Sequence, residues 1–200
     1  MHEIKERPIL FSAPMVRAIL EGRKTVTRRA VKFPFIDRAV GCELSGNEIG
    51  PEEIRNNCPY GVAGQRLWVR ETHADIGCRL TYRADLDDGA HCKVAKWTPA
   101  IHMFRKHSRI LLEITDVRVE RLQDISEGQA VDEGLIWEGV KDGQTYWNHT
   151  DHRYPPGSHQ QLSVSGTDAV SAFRNLWKST GGDWEANPWV WVVEFKRVQP

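Results

Sequence analysis

The sequence predicts a mainly β fold with short helices (α+β). The strands should form a small, mostly antiparallel barrel with helices at its openings and two long loop insertions. Three observations predict this. Six short runs rich in β-branched and aromatic residues are spread over the chain. The helical stretches between them are few and short. No regular strand–helix–strand rhythm is present, so an open parallel sheet does not fit. A chain of 200 residues suits one domain with sizeable insertions, and it can bury a core.

Arg7 to Phe11 reads as the first strand. Pro14 opens a helix, where its missing N–H is one of the unpaired groups in any case. Met15, Ile19 and Leu20 give this helix an apolar stripe. Gly22 stops it, because the left-handed position past a helix end suits glycine. The strand Lys24 to Arg29 follows, with Val26 toward a core, and Thr25 and Thr27 sharing the other face. Residues 33–60 read as an irregular insertion, with one helical turn from Pro51 to Arg55. In the strand Gly64 to Glu71, Leu67 and Val69 face the core, whereas Trp68 and Arg70 face outward or into a groove. Arg79 to Ala84 is a further strand. Trp97 to Arg109 reads as a loop over the barrel mouth.

Ile110 to Leu122 is the longest β-like run. Its alternation slips near Asp116, which predicts a bulge or bend. Ser126 and Gln129 form a capping box for a short helix that ends at Gly134. Residues 135–165 read as a second irregular stretch. Thr167 reads as the N-cap of a helix reaching Lys178, with Val170, Phe173, Leu176 and Trp177 as its apolar face, ended by Gly181-Gly182. In the closing strand, Pro188 to Val198, the Trp189 to Val193 run is apolar on both faces and so belongs in the interior of the sheet.

The formal net charge is zero, which removes any global signal for a polyanionic partner. The distribution is uneven. Residues 1–33 hold eight basic against three acidic residues, and residues 113–138 hold eight acidic against two basic ones. Such separation either builds an anion-binding face or neutralises itself in the fold. No apolar run reaches the ~18 residues of a membrane span, and the N-terminus lacks the apolar core of a signal peptide. A cytoplasmic chain with no membrane association is the expectation. The cysteines, Cys42, Cys58, Cys78 and Cys92, lack C-x-x-C spacing and read as reduced thiols. No cofactor is expected. His149 and His152, with Asp151 between them, have a spacing that suits either a metal site or a solvated polar loop.

The chemistry-bearing residues concentrate in Glu21 to Arg29, E-G-R-K-T-V-T-R-R. This stretch resembles the signature of the ASCH superfamily, whose members have a PUA-like barrel and are linked to RNA. Pro59 to Glu71, Leu122 to Gly134 and Asn187 to Val198 support the resemblance, and the chain as a whole is similar to the longer ASCH proteins of bacteria and their phages. Some small ASCH proteins are amidohydrolases that remove the acetyl group of N4-acetylcytidine. Carried over by motif, the resemblance implies Lys24 as base and Thr27 as nucleophile, from K-x-x-T after the helix-ending glycine. Matching Leu122 through Glu133 implies Glu133 as the acid. Each residue also has a plainer reading: a phosphate contact for Lys24, an ordinary strand residue for Thr27 and a solvated helix-end acid for Glu133.

Arg23, Arg28, Arg29, Trp68, Arg70, Arg105 and Lys106 are the candidate contacts to a nucleic acid or nucleoside, since aromatic surfaces with cations suit unpaired bases. The expected function is therefore binding of RNA or a modified pyrimidine nucleoside in a basic pocket, with hydrolysis of an N4-acyl amide. The alternatives are a non-catalytic RNA-binding module, or a ribonuclease in which His102 or His107 assists Lys24.

Overall fold

The computed structural model describes residues 4–32, 34–35, 41–43, 51–85, 91–141, 144–148 and 165–199. It is an α+β structure, mostly sheet with a few short helices. The main sheet has five strands: β1 (Glu6–Leu10), β2 (Val26–Ala30), β3 (Arg66–Arg70), β6 (Leu111–Arg121) and β10 (Trp189–Val198), in the order β1-β3-β6-β10-β2. Only β1 and β3 pair in parallel; the other neighbours are antiparallel. Among the described residues β1 and β2 are free edges, so the expected closure into a barrel is not found.

β10 shows why the closing run is apolar throughout. Val190 and Val192 enter one core cluster with Phe173 and Leu176, while Trp191, Val193 and Phe195 enter a second with Leu67, Val69, Leu112 and Ile114. A strand covered on both faces must be apolar on both. The slip near Asp116 is a real irregularity. Glu194 pairs with Asp116 but Phe195 pairs with Ile114, which leaves Thr115 unopposed.

Helix α1 (Ala13–Leu20) covers the second cluster through Val16 and Ile19. Gly22 follows it at φ +76°, as the glycine stop requires. Helix α2 is Pro51–Asn56. Helix α3 (Glu127–Asp132) has the full capping box between Ser126 and Gln129. Helix α4 (Ala169–Ser179) packs Ala172, Phe173 and Leu176 on the first cluster. Its N-cap is Asp168, not Thr167. The Asp168 carboxylate accepts from the Ser171 N–H at 2.6 Å, a stronger cap than a neutral hydroxyl.

Two regions differ from the sequence reading. Residues 135–165 are not wholly irregular, because β7 (Ile136–Lys141), β8 (Gln144–Asn148) and β9 (Ser165–Gly166) form a small antiparallel sheet. Segment 97–109 does not cover a barrel mouth. It runs as a strap along β4 (His73–Asp75), β5 (Leu80–Tyr82) and the end of β3. Thr98 bridges His73, and the Ser108 hydroxyl donates to the Val69 carbonyl at 2.8 Å. Arg109 clasps Glu71 at 2.9 and 3.0 Å and Asp85 at 2.7 and 3.0 Å. Burial pushes the Glu71 carboxyl above the ordinary carboxylate value, whereas its two acids hold Arg109 above the ordinary arginine value. The two directions oppose each other. The two-point contact of guanidinium and carboxylate decides for the ionised pair.

Among the described residues no helix is long and apolar enough to cross a membrane, and no group of three His, Cys, Asp or Glu side chains is placed to hold a metal. Cys42, Cys58 and Cys78 are free thiols. His149 and His152 lie outside the described residues.

Candidate functional site

Lys24 lies between α1 and β2, where Gly22 has turned the chain back toward the sheet. Its amide donates to the Ala18 carbonyl at 3.0 Å. At the other wall, α3 ends on Glu133, and Gly134 (φ +98°) turns the chain away at once. A Cβ on Gly134 would stand 2.9 Å from the Ala18 Cβ and 3.1 Å from the Lys24 Cβ. The glycine thus allows the two backbones to approach, and Lys24 and Glu133 form an isolated β-bridge. Residues 109 positions apart in sequence are thereby held face to face.

The Lys24 ammonium is buried, with 2 % of the residue exposed. It donates to the Glu133 carboxylate at 2.6 Å, the Val26 carbonyl at 2.8 Å and the Glu133 carbonyl at 3.0 Å. All three of its hydrogens are used, and none reaches Thr27. Desolvation pushes its pKa below the ordinary lysine value. Glu133 works against that shift, and Arg29 and Arg28 add to it. Glu133, 3 % exposed, also accepts from Arg28 at 3.3 Å, and Arg28 reaches Glu120 at 3.3 Å. The basic N-terminal segment and the acidic segment 113–138 therefore do neutralise each other here, but only in part.

Beside this pair opens a cleft of about 560 Å³, within the ordinary size of a small-molecule site. Its lining includes Thr27, Arg28, Arg29 and Lys32 from β2 and the residues after it, Glu133 and Met15, and the aromatic residues Tyr60, Phe173 and Trp177. β2 is an edge strand, so its side chains from both faces reach the same opening. The Trp177 indole lies against Gly182, where a Cβ would collide with its ring.

Of the three residues expected to act together, Thr27 and Glu133 line the cleft, and Lys24 stands behind Glu133, bonded to it. Among the expected ligand contacts, Arg28 and Arg29 line the cleft. Arg23 supports it from outside, donating to the Gly134 carbonyl at 2.7 Å and pairing with Glu21. The structure does not bring Trp68, Arg70, Arg105 or Lys106 to this site. Trp68 and Arg70, on β3, are not among the residues that line the cleft. Arg70 stacks on Trp68 and donates to the Ile101 carbonyl. Arg105 pairs with Glu6 at 2.7 Å on the strap, and Lys106 is exposed beside it. His102 and His107 also belong to the strap, and among the described residues that line the cleft there is no histidine beside Lys24.

Sequence reasoning missed Tyr60 and Trp177 as cleft residues, whereas Phe173, which also touches the cleft, is buried in the core as its helical spacing predicts. Helical spacing puts Trp177 on the same apolar face as Phe173, and it packs partly buried against that core cluster. The signal that marks Trp177 is position: it lies in the last turn of α4, just before the Gly181-Gly182 stop.

Comparison of the chain with family models, with curated proteins and with solved structures returns no match.

Proposed function

We propose that this cleft is an ASCH-type amidohydrolase site on a PUA-like scaffold, acting on the N4-acyl amide of an acylated cytidine. The observation that carries the reading is the 2.6 Å contact between Lys24 and Glu133, sealed from solvent, at the base of a cleft that Thr27 also lines. A hydroxyl needs a base to become a nucleophile, and a leaving amine needs an acid. A buried ammonium–carboxylate pair supplies both when its proton passes from nitrogen to oxygen. Burial of Lys24 lowers the cost of that transfer.

In the reactive form Lys24 is a neutral amine and Glu133 a carboxylic acid. Thr27 Oγ1 attacks the acyl carbonyl, and its proton goes to Lys24. The tetrahedral intermediate breaks the C–N4 bond while Glu133 protonates the departing N4 amine. Water then hydrolyses the acyl-Thr27 ester, releasing the carboxylic acid and restoring the hydroxyl. Tyr60 and Trp177 offer surfaces on which a pyrimidine can stack.

Incubation with N4-acetylcytidine, followed by chromatography, should yield cytidine and acetate. No product, or equal product from Lys24→Ala, ends the reading.

One observation favours a second reading, a non-catalytic module that holds an RNA nucleotide. As the side chains stand, Lys24 has no free lone pair and no bond to Thr27. That reading predicts RNA binding that weakens steeply with salt and on neutralising Arg28 or Arg29, measurable by filter binding, with no cytidine released.

A further inference from the structure

The cations of the cleft are not equivalent. Lys24 is matched by Glu133, and Arg28 by Glu133 and Glu120. Arg29 and Lys32 are not matched by any acid among the described residues. The Arg29 guanidinium donates to a neutral group, the Leu10 carbonyl, at 2.6 Å, and rests on the Phe11 ring with its Cζ 5.3 Å from the centroid. Its Nε–H is buried without an acceptor. Lys32 is exposed and lines the same cleft. One end of the cleft is thus close to neutral and carries Thr27 and Glu133. The other end carries two positive charges with no acid partner among the described residues.

In a protein of zero net charge, a charge imbalance confined to one end of a cleft has to be explained locally. From the register of β2, Thr27 and Arg29 lie two residues apart on the same face, about 7 Å, and Lys32 lies further along the chain. The stretch from Thr27 past Arg29 to Lys32, five positions on, is long enough to span a base and a sugar. A free nucleoside would leave that end facing water, whereas a phosphate would meet both charges, and Arg29 can offer it a charge-assisted hydrogen bond.

We infer that the Arg29–Lys32 end of the cleft is a phosphate subsite and that the ligand is a nucleotide carrying a 5′-phosphomonoester rather than the bare nucleoside. This inference rests on the proposed function and narrows its substrate class.

Trp177 and Tyr60 in the cleft make binding readable by intrinsic fluorescence. Titration of the full chain with N4-acetylcytidine 5′-monophosphate should show binding about tenfold tighter than N4-acetylcytidine at low salt. The advantage of the monophosphate over the nucleoside, compared within the same variant, should fall below about twofold in Arg29→Gln/Lys32→Gln. A short cytidine-containing oligoribonucleotide, whose phosphates are diesters, should bind more weakly than the monophosphate. Equal binding of nucleoside and monophosphate overturns the subsite and leaves the proposed function intact. So does an advantage that survives the double substitution. Tighter binding of the oligonucleotide overturns it in favour of a polymer ligand. If neither small ligand binds, the proposed function and the subsite fall together.

Discussion

Replacing Lys24 by methionine keeps the length of the side chain but removes the ammonium. Three acceptors lose their donor: the Glu133 carboxylate and the carbonyls of Val26 and Glu133. Glu133 stays buried, with only Arg28 at 3.3 Å as a cationic partner. Removing one member of a buried pair costs about 3–5 kcal/mol, and the remaining Arg28 contact places Lys24→Met near 3 kcal/mol. Glu133→Leu strands the ammonium instead, at a similar cost. The double variant has no unpaired charge at this position and should cost about as much as either single one, giving a coupling of about 3 kcal/mol. Urea denaturation read by tryptophan fluorescence measures all four species.

A second signature accompanies the first. The folded pKa of Lys24 lies below its unfolded value of 10.5. Between the two values the unfolded chain binds the extra proton, so the Lys24 contribution to stability rises with pH, by at most about 1.4 kcal/mol per unit. It should disappear in Lys24→Met. Additive single effects, together with an unchanged pH slope, would refute the view that these two groups act as one buried pair.

Gly134→Ala should destabilise the protein by about 2–3 kcal/mol, since it combines a strained positive φ with a Cβ pressed on Ala18 and Lys24; a change below about 0.5 kcal/mol in the urea midpoint analysis would contradict the close approach. Arg109→Met should cost about 3 kcal/mol at neutral pH by leaving buried Glu71 without its partner. Burial raises the folded-state pKa of Glu71 above its unfolded 4.5 even with Arg109 in place, and removing that cation raises it further, so its contribution is retained below 4.5 and lost as pH rises through the folded value. The deficit should shrink between about pH 7.5 and pH 5, and a deficit equal at both would refute the assignment.

Local features were the legible ones. The Gly22 stop, the Ser126–Gln129 box, the slip at Asp116 and the inward Leu67 and Val69 each depend on a few neighbouring residues. Pairing was far less legible. That β1 lies parallel to β3, or that His73–Asp75 is a strand held by Tyr82 and Thr98, depends on partners many residues away. Barrel closure was expected from strand content, which cannot say whether edge strands meet. Thr167 and Asp168 both satisfy a capping pattern, and only geometry decides between them. At the site, spacing could offer Lys24 and Thr27 as neighbours, but their link to Glu133 came from the resemblance. Trp68 and Arg70 look alike in kind to Trp177 and Arg29, and only the folded structure shows which of them line the cleft.

The most direct test follows acyl-group release from N4-acetylcytidine by the wild-type chain and by Thr27→Val, a substitution that keeps the β-branched shape on β2 and removes the hydroxyl. Release of cytidine by the wild type and its loss in a folded Thr27→Val is the predicted result. Undiminished release in Thr27→Val, or none from the wild type, would contradict it.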